Sequence, residues 1–201
     1  MKVIELSPGG GWYTEILAPY LKEEGELIAA HFDPSMGDFA KRVRGNFEKK
    51  LASSSVYDRV KLVSLNTQYS EAESVDAVVT FRNLHNWIGP NWNFIITSAH
   101  KSLKKGGVLG VVEHRAPDTA TRQEMIDTAY VSEAYVKQVA GSAGFEFVDS
   151  SEINANQKDT KDHPEGVWTL PPNFRAGEVD QNKYAAVGES DRMTLKFRKP
   201  K

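Results

Sequence analysis

The sequence predicts an α/β protein: one doubly wound, mostly parallel sheet with helices on both faces. Three observations carry this. Short apolar runs alternate with segments of helical period along most of the chain. The first run, Val3-Ile4-Glu5-Leu6, is followed by Ser7-Pro8-Gly9-Gly10-Gly11 and then by a helical segment, the strand, tight turn and helix of a nucleotide-binding unit. Helix-sized intervals separate the strands, which is what crossovers between parallel strands require.

Each element follows in order. After the glycine turn, residues 13–21 place Ile16, Leu17, Tyr20 and Leu21 on one helical face, with Pro19 as a kink and Gly25 near the end. Residues 27–32 read as the second strand, and Asp33-Pro34-Ser35 is a helix-start signature. Phe39, Val43, Phe47 and Leu51 recur every four residues and predict a face packed on the sheet, leaving Lys41, Arg42, Arg44, Lys49 and Lys50 as a solvated face. Residues 59–65 and 75–81 are the third and fourth strands. A helix from Pro90 turns Trp92, Ile95, Ile96, Ala99 and Leu103 inward, Lys104-Lys105-Gly106-Gly107 stops it, and residues 108–112 form the fifth strand. One long helix is expected over 121–143, a sixth strand over 145–148 and a last strand over 193–197.

At 201 residues and 40% hydrophobic content the chain suits a single domain, 1–201, burying roughly 70% of its unfolded surface. With 25 basic and 27 acidic residues it has no overall field to recruit nucleic acid or an anionic membrane. No apolar stretch approaches the roughly 18 residues of a membrane span and no signal-peptide layout opens the chain, so a cytoplasmic location is expected. The lack of cysteine excludes disulfides, thiolate nucleophiles and Cys-ligated zinc.

The order of elements, with the Gly-rich loop first, Leu103-Lys104-Lys105-Gly106-Gly107 before strand five and Ala143-Gly144-Phe145 before strand six, resembles class I S-adenosylmethionine (SAM) dependent methyltransferases across essentially the whole chain. Glu5-Leu6-Ser7-Pro8-Gly9-Gly10-Gly11 is similar to that family's acidic glycine loop, with Ser7 where the first glycine is usual. Together with Glu113-His114-Arg115-Ala116 and Gly166-Val167-Trp168-Thr169-Leu170-Pro171-Pro172, the pattern resembles a little-characterised set of bacterial predicted methyltransferases. The resemblance implies a Rossmann-like, seven-stranded sheet whose last strand is antiparallel, with SAM as cofactor.

The resemblance also distributes roles. Backbone N–H groups at Gly9, Gly10 and Gly11, beside Ser7, suit the amino acid end of SAM. Glu5 holds either the glycine loop or the SAM amino group. Asp33 is either a ribose ligand or the N-cap of the next helix. Asn66 accepts from the adenine amine or simply forms a turn. After strand four, Phe81-Arg82-Asn83-Leu84-His85-Asn86-Trp87 lies beside the methyl donor, with Arg82 assigned to cofactor and Trp87 to substrate. This segment lacks the Asn-Pro-Pro-aromatic tetrad of related base and amide methyltransferases, so a small-molecule acceptor is expected. His85 is the first candidate for taking the acceptor's proton and His114 the second; each otherwise reads as a hydrogen-bonded loop histidine. His31 reads as packing, and Trp12 or Tyr13 as core or as a cation–π partner of the sulfonium.

Strand six should run parallel to strands four and five, so the aperiodic stretch 151–191 emerges beside the ligand loops. It is expected to form a lid, with Trp168 and Phe174 against substrate and Leu170, Pro171 and Tyr184 assisting. Asp159, Asp162, His163 and Glu165 match no calcium or zinc spacing, so no metal is assigned. Two other readings stand beside methyl transfer: a methyltransferase-like module that binds ligand or protein without turnover, and NAD binding, which wants a third glycine where Thr14 stands. Because the chain enters its first strand at once, the expectation is a truncated chain or a cofactor covered by another segment or subunit, including a homodimer partner.

Overall fold

The computed structural model describes residues 1–201, apart from the side chains of residues 90 and 91. Seven strands form one sheet: β1 (Lys2–Leu6), β2 (Glu26–His31), β3 (Val60–Ser64), β4 (Val75–Phe81), β5 (Leu103–His114), β6 (Glu146–Ser151) and β7 (Arg192–Arg198). Their order is β3-β2-β1-β4-β5-β7-β6. β1 to β5 are parallel, and β7 lies antiparallel between β5 and β6, so β6 runs in the direction of β5 as expected. Strand order reverses between β1 and β4, which opens a crevice at the carboxyl ends of those two strands.

One face of the sheet is covered by helices, and over β1 and β2 the other is covered as well, which explains why β1 reads as a mostly apolar run; on that second face β5 and β7 stay partly exposed. On one face Ile4, Ile28, Val78, Leu109 and Phe197 pack with Trp92, Ile96 and Ala99 of α3 (Pro90–Ser102) and with Val136 and Ala140 of α5 (Glu133–Ser142). On the other, Val3 and Leu27 meet Ala18 and Leu21 of α1 (Thr14–Leu21). Each large side chain so buried contributes about 1.5–3 kcal/mol.

The inward faces of the first two helices differ from expectation. In α1, Thr14, Ala18 and Leu21 are buried, while Ile16 and Tyr20 are 59% and 76% exposed. The Thr14 hydroxyl donates to the buried Glu5 carboxylate at 2.6 Å, and this polar anchor sets the rotation of the helix. In α2 (Asp38–Leu51) Ala40 and Phe47 are buried and Phe39 is exposed. The helix begins only after a 3-10 turn at Pro34–Met36, so Asp33 caps that turn and not α2.

The helix expected over 121–143 is two, α4 (Arg122–Thr128) and α5, joined through Ala129 at φ 60°. Here the chain returns to the sheet edge: Val131 N–H donates to the His114 carbonyl at 2.8 Å and Ala116 N–H to the Val131 carbonyl at 2.9 Å. Ser132 then caps α5 by accepting from Tyr135 N–H. Leu103 is the first residue of β5, not the end of α3, and pairs with Val75. β6 is shifted to 146–151 as an exposed edge strand, and α6 (Gln181–Val187) interrupts the stretch expected to be aperiodic.

Candidate functional site

The glycine loop follows β1 at the crevice. Ser7, Gly9 and Gly11 all have positive φ, 50°, 57° and 84°. A Cβ on Gly11 would lie 2.8 Å from Lys50 Cδ and 2.9 Å from Phe47 Cε2, so this glycine permits packing of the loop on α2. A Cβ on Gly10 would meet nothing within 4 Å, so that position faces open space. Two side chains hold the loop. Asn83 Nδ2, after β4, donates to the carbonyls of Ser7 at 3.0 Å, Phe81 at 3.0 Å and Leu6 at 3.3 Å. Phe32 N–H donates to His31 Nδ1 at 2.8 Å, which leaves the proton on Nε2 to be donated to the Gly9 carbonyl at 3.1 Å. His31, expected only to pack, therefore positions the loop.

Glu5 is 1% exposed, and its one side-chain partner is Thr14. Burial raises its pKa from 4.5 to about 7, the Thr14 hydrogen bond opposing. Burial and Thr14 are the only influences on this carboxyl among the described residues, and neither is a cation.

Asp33 lies at the end of β2, where its carboxylate accepts from Ser35 N–H at 2.9 Å and Ser35 Oγ at 2.5 Å. The bonds from Ser35 and Ser64 hold its pKa down to about 2, so it stays ionised at any working pH. Asn66 is exposed after β3 and lines a cavity of about 370 Å³ with Phe32, Leu65 and Trp87. Trp87, expected against substrate, is 4% exposed in the core beside Trp92 and is one of the residues lining this second cavity.

The larger cavity, about 420 Å³, joins the glycine loop to the ends of β4 and β5. Ser7, Gly9, Gly10, Tyr13 and Arg82 line one side, and His114, Ser190 and Trp168 another. Tyr13 stacks on Phe81 at 3.7 Å between ring centres, while Trp12 is 69% exposed. His85 does not line the cavity. Its side chain is 5% exposed behind Glu113, with Nδ1 3.1 Å from Glu113 Oε1 and Nε2 3.0 Å from the Asn86 amide. Glu113 is fully buried. Burial disfavours its charge, but His85, His114 and the His114 backbone N–H together hold its carboxyl below the usual range. His114 Nδ1 shares a 2.5 Å hydrogen bond with Ser190 Oγ, and burial pushes its pKa down to about 4, so the imidazole is neutral.

Residues 4–111, more than half of the chain, match the family model described as a methyltransferase domain. The chain belongs to the methyltransferase domain family. No curated protein matches it in sequence. Its structure is similar to a SAM-dependent methyltransferase from Aquifex aeolicus (13% identity, TM-score 0.64, 99% of this chain and 82% of that one). It is similar also to a SAM-dependent methyltransferase from Methanosarcina mazei (11%, 0.62, 99% and 92%). A third is the glycopeptide N-methyltransferase MtfA, complexed with sinefungin (14%, 0.61, 100% and 81%). At such identities these likenesses establish the fold; the family establishes a methyltransferase, with SAM as its cofactor.

Two features of the methyltransferase fit a cationic, zwitterionic ligand at the loop, the open space over Gly10 and the buried Ser7 Oγ without a hydrogen-bond partner among the described residues; the buried Glu5 carboxylate does not itself line the cavity. The segment 151–191 does reach the larger cavity, through Val167, Trp168, Pro171, Pro172, Asn173 and Ser190. Phe174 does not line it, and Tyr184 is buried against His163. Asp159 is a structural acceptor: Tyr130 Oη, the N–H groups of Lys161 and Asp191, and His163 Nε2 all lie within 3.0 Å of its oxygens. Asp162 and Glu165 are exposed and stand outside that group. Of the groups sequence reasoning missed, Asn83, Glu113 and Asn86 flank residues it had singled out, whereas Ser190 carried no local signal. No helix among the described residues is long and apolar enough to cross a membrane.

Proposed function

We propose that this methyltransferase transfers the methyl group of SAM to a small-molecule acceptor held in the larger cavity. The observation that carries the reading is one cleft of about 420 Å³ shared by the glycine loop and the His114 side chain, a size suited to the reactive end of the cofactor and a small acceptor. SAM supplies a methyl group activated by its sulfonium; this chain's residues have only to bind, align and exclude water, which can lower the barrier by roughly 7–11 kcal/mol. Glu5, with Ser7, Gly9 and Gly10, is proposed to hold the amino acid end, and Gly11 to shape the loop. Arg82 flanks the same end. Asp33 takes the ribose hydroxyls, and Asn66 and Trp87 face the adenine in the second cavity, a change from the substrate role expected of Trp87.

His114 is the member of the His85–Glu113–His114 cluster that borders the acceptor, and the cluster as a unit is proposed to activate it. The stretch 151–191 acts as the lid, with Trp168 as its acceptor-facing residue. Arg175 stacks over Trp168 at 5.3 Å and keeps this ring oriented. The test is to incubate the protein with methyl-labelled SAM and a fractionated pool of metabolites. Label is expected in a small product one CH₂ heavier than its precursor, and is lost in Trp168→Ala. Label confined to protein or nucleic acid would overturn the acceptor class.

A further inference from the structure

His85, in the turn after β4, and Glu113 and His114, the last residues of β5, each offer a metal-ligand atom, and these atoms lie within 4.8 Å of one another. All three side chains are at least nine-tenths buried. His85 Nδ1 and Glu113 Oε1, 3.1 Å apart, are spaced much as neighbouring donors around one ion with bonds of about 2.0–2.1 Å.

The outer partners suit the same purpose. Ser190 Oγ engages His114 Nδ1, leaving Nε2 without a protein hydrogen bond among the described residues. The Asn86 amide engages His85 Nε2; with its oxygen in that position it accepts Nε2–H and frees Nδ1. A polar group on the far nitrogen of each imidazole is what fixes metal-binding histidines. Glu113 Oε2 accepts one long bond, 3.3 Å from His85 N–H, and retains acceptor capacity. His114 and Ser190 border the larger cavity, so an ion here has a side open to a ligand, while the Trp168 ring stands 5.4 Å from His85 and 6.3 Å from His114 and shields the rest.

We propose that His85, Glu113 and His114 bind one divalent transition-metal ion at the wall of the larger cavity. Two imidazoles and one carboxylate with an open position suit zinc, iron(II), cobalt(II) or manganese(II) better than calcium or magnesium. On binding, His85 gives up the Nδ1 proton that faces Glu113 Oε1 and carries its proton on Nε2 instead, with the Asn86 amide turning its oxygen to accept it. The site stands on these side chains alone; its use, polarising an acceptor oxygen, rests on the methyl-transfer reading and is how the cluster would activate that acceptor.

The whole chain, stripped with a chelator, is titrated with cobalt(II) and followed by visible d–d absorption, with SAM binding measured separately by calorimetry. One equivalent is expected to bind and to be displaced by zinc, with affinity falling at least about 100-fold in His114→Ala and Glu113→Gln. His100→Ala, on α3 against Phe145, should bind as wild type. Circular dichroism identifies any variant that fails to fold, and the wild-type titration decides the matter without the variants. Absence of stoichiometric cobalt binding by the wild type, or an undiminished spectrum in folded His114→Ala, overturns the proposal. SAM binding without cobalt binding refutes the metal site alone; cobalt binding without SAM binding supports the site and refutes its use in methyl transfer.

Discussion

Replacing Glu5 by Gln separates what this carboxylate costs the fold from what it does for the cofactor. The side chain is 1% exposed and faces no cation, and burial raises its pKa from 4.5 to about 7. Between those two pH values the folded protein keeps a proton that the unfolded chain releases, so stability falls as pH rises through this window and is level above it. The rise corresponds to about 3 kcal/mol. Gln keeps the acceptor for Thr14 Oγ1 and cannot ionise. Glu5→Gln should therefore match wild type in stability near pH 4.5 and exceed it by about 3 kcal/mol at pH 8, a rise in melting temperature of about 6–12 °C for a chain of this size. SAM binding should move the other way. The ammonium of the ligand favours the charged form of Glu5, so wild-type affinity should increase as pH rises towards 7, and Glu5→Gln should bind more weakly without that dependence. Paired calorimetric scans and SAM titrations at several pH values measure both. A stability difference that does not change with pH refutes the burial argument; equal SAM affinity at pH 8 reduces Glu5 to a loop-ordering role.

Three further outcomes follow from the geometry. Gly11→Ala places a Cβ within 3 Å of Phe47 and Lys50 at φ 84° and should cost about 1–3 kcal/mol in denaturant unfolding. Asp33→Ala removes an ionised carboxylate that caps a short exposed turn; SAM affinity by calorimetry should fall about tenfold or more with little change in melting temperature. Asp159→Ala strands the Tyr130 hydroxyl and the Asp191 N–H, both buried, and should cost about 3 kcal/mol or more by differential scanning calorimetry.

β1 and β2 were legible because they are buried on both faces and so read as mostly apolar runs between turn residues, and β4 because its buried and half-buried residues are nearly all apolar. The glycine loop was legible because backbone at positive φ leaves a mark in the residue types themselves. The rotation of α1 was not. Its apolar periodicity pointed to Ile16 and Tyr20, and a single hydrogen bond from Thr14 to Glu5 turned the helix the other way. The break at Ala129–Ser132 was hidden because its cause is the pairing of Val131 with the strand carrying His114 and with the residues just after it. Asn83, His31 and Ser190 act across 76, 22 and 76 residues of chain, distances at which no local pattern reports a partner. The candidate site was thus legible where it is made of backbone and largely hidden where it is made of long-range side-chain bonds.

The central claim, that the loop after β1 cradles SAM, is tested most directly by titrating SAM into wild type and Gly10→Val. The new side chain meets no protein atom within 4 Å at its Cβ, so the variant should fold and melt as wild type. One SAM should bind per wild-type chain, with no measurable binding by the variant at the same concentrations. A wild-type protein that fails to bind SAM, or a Gly10→Val protein that binds it equally well, would contradict the account.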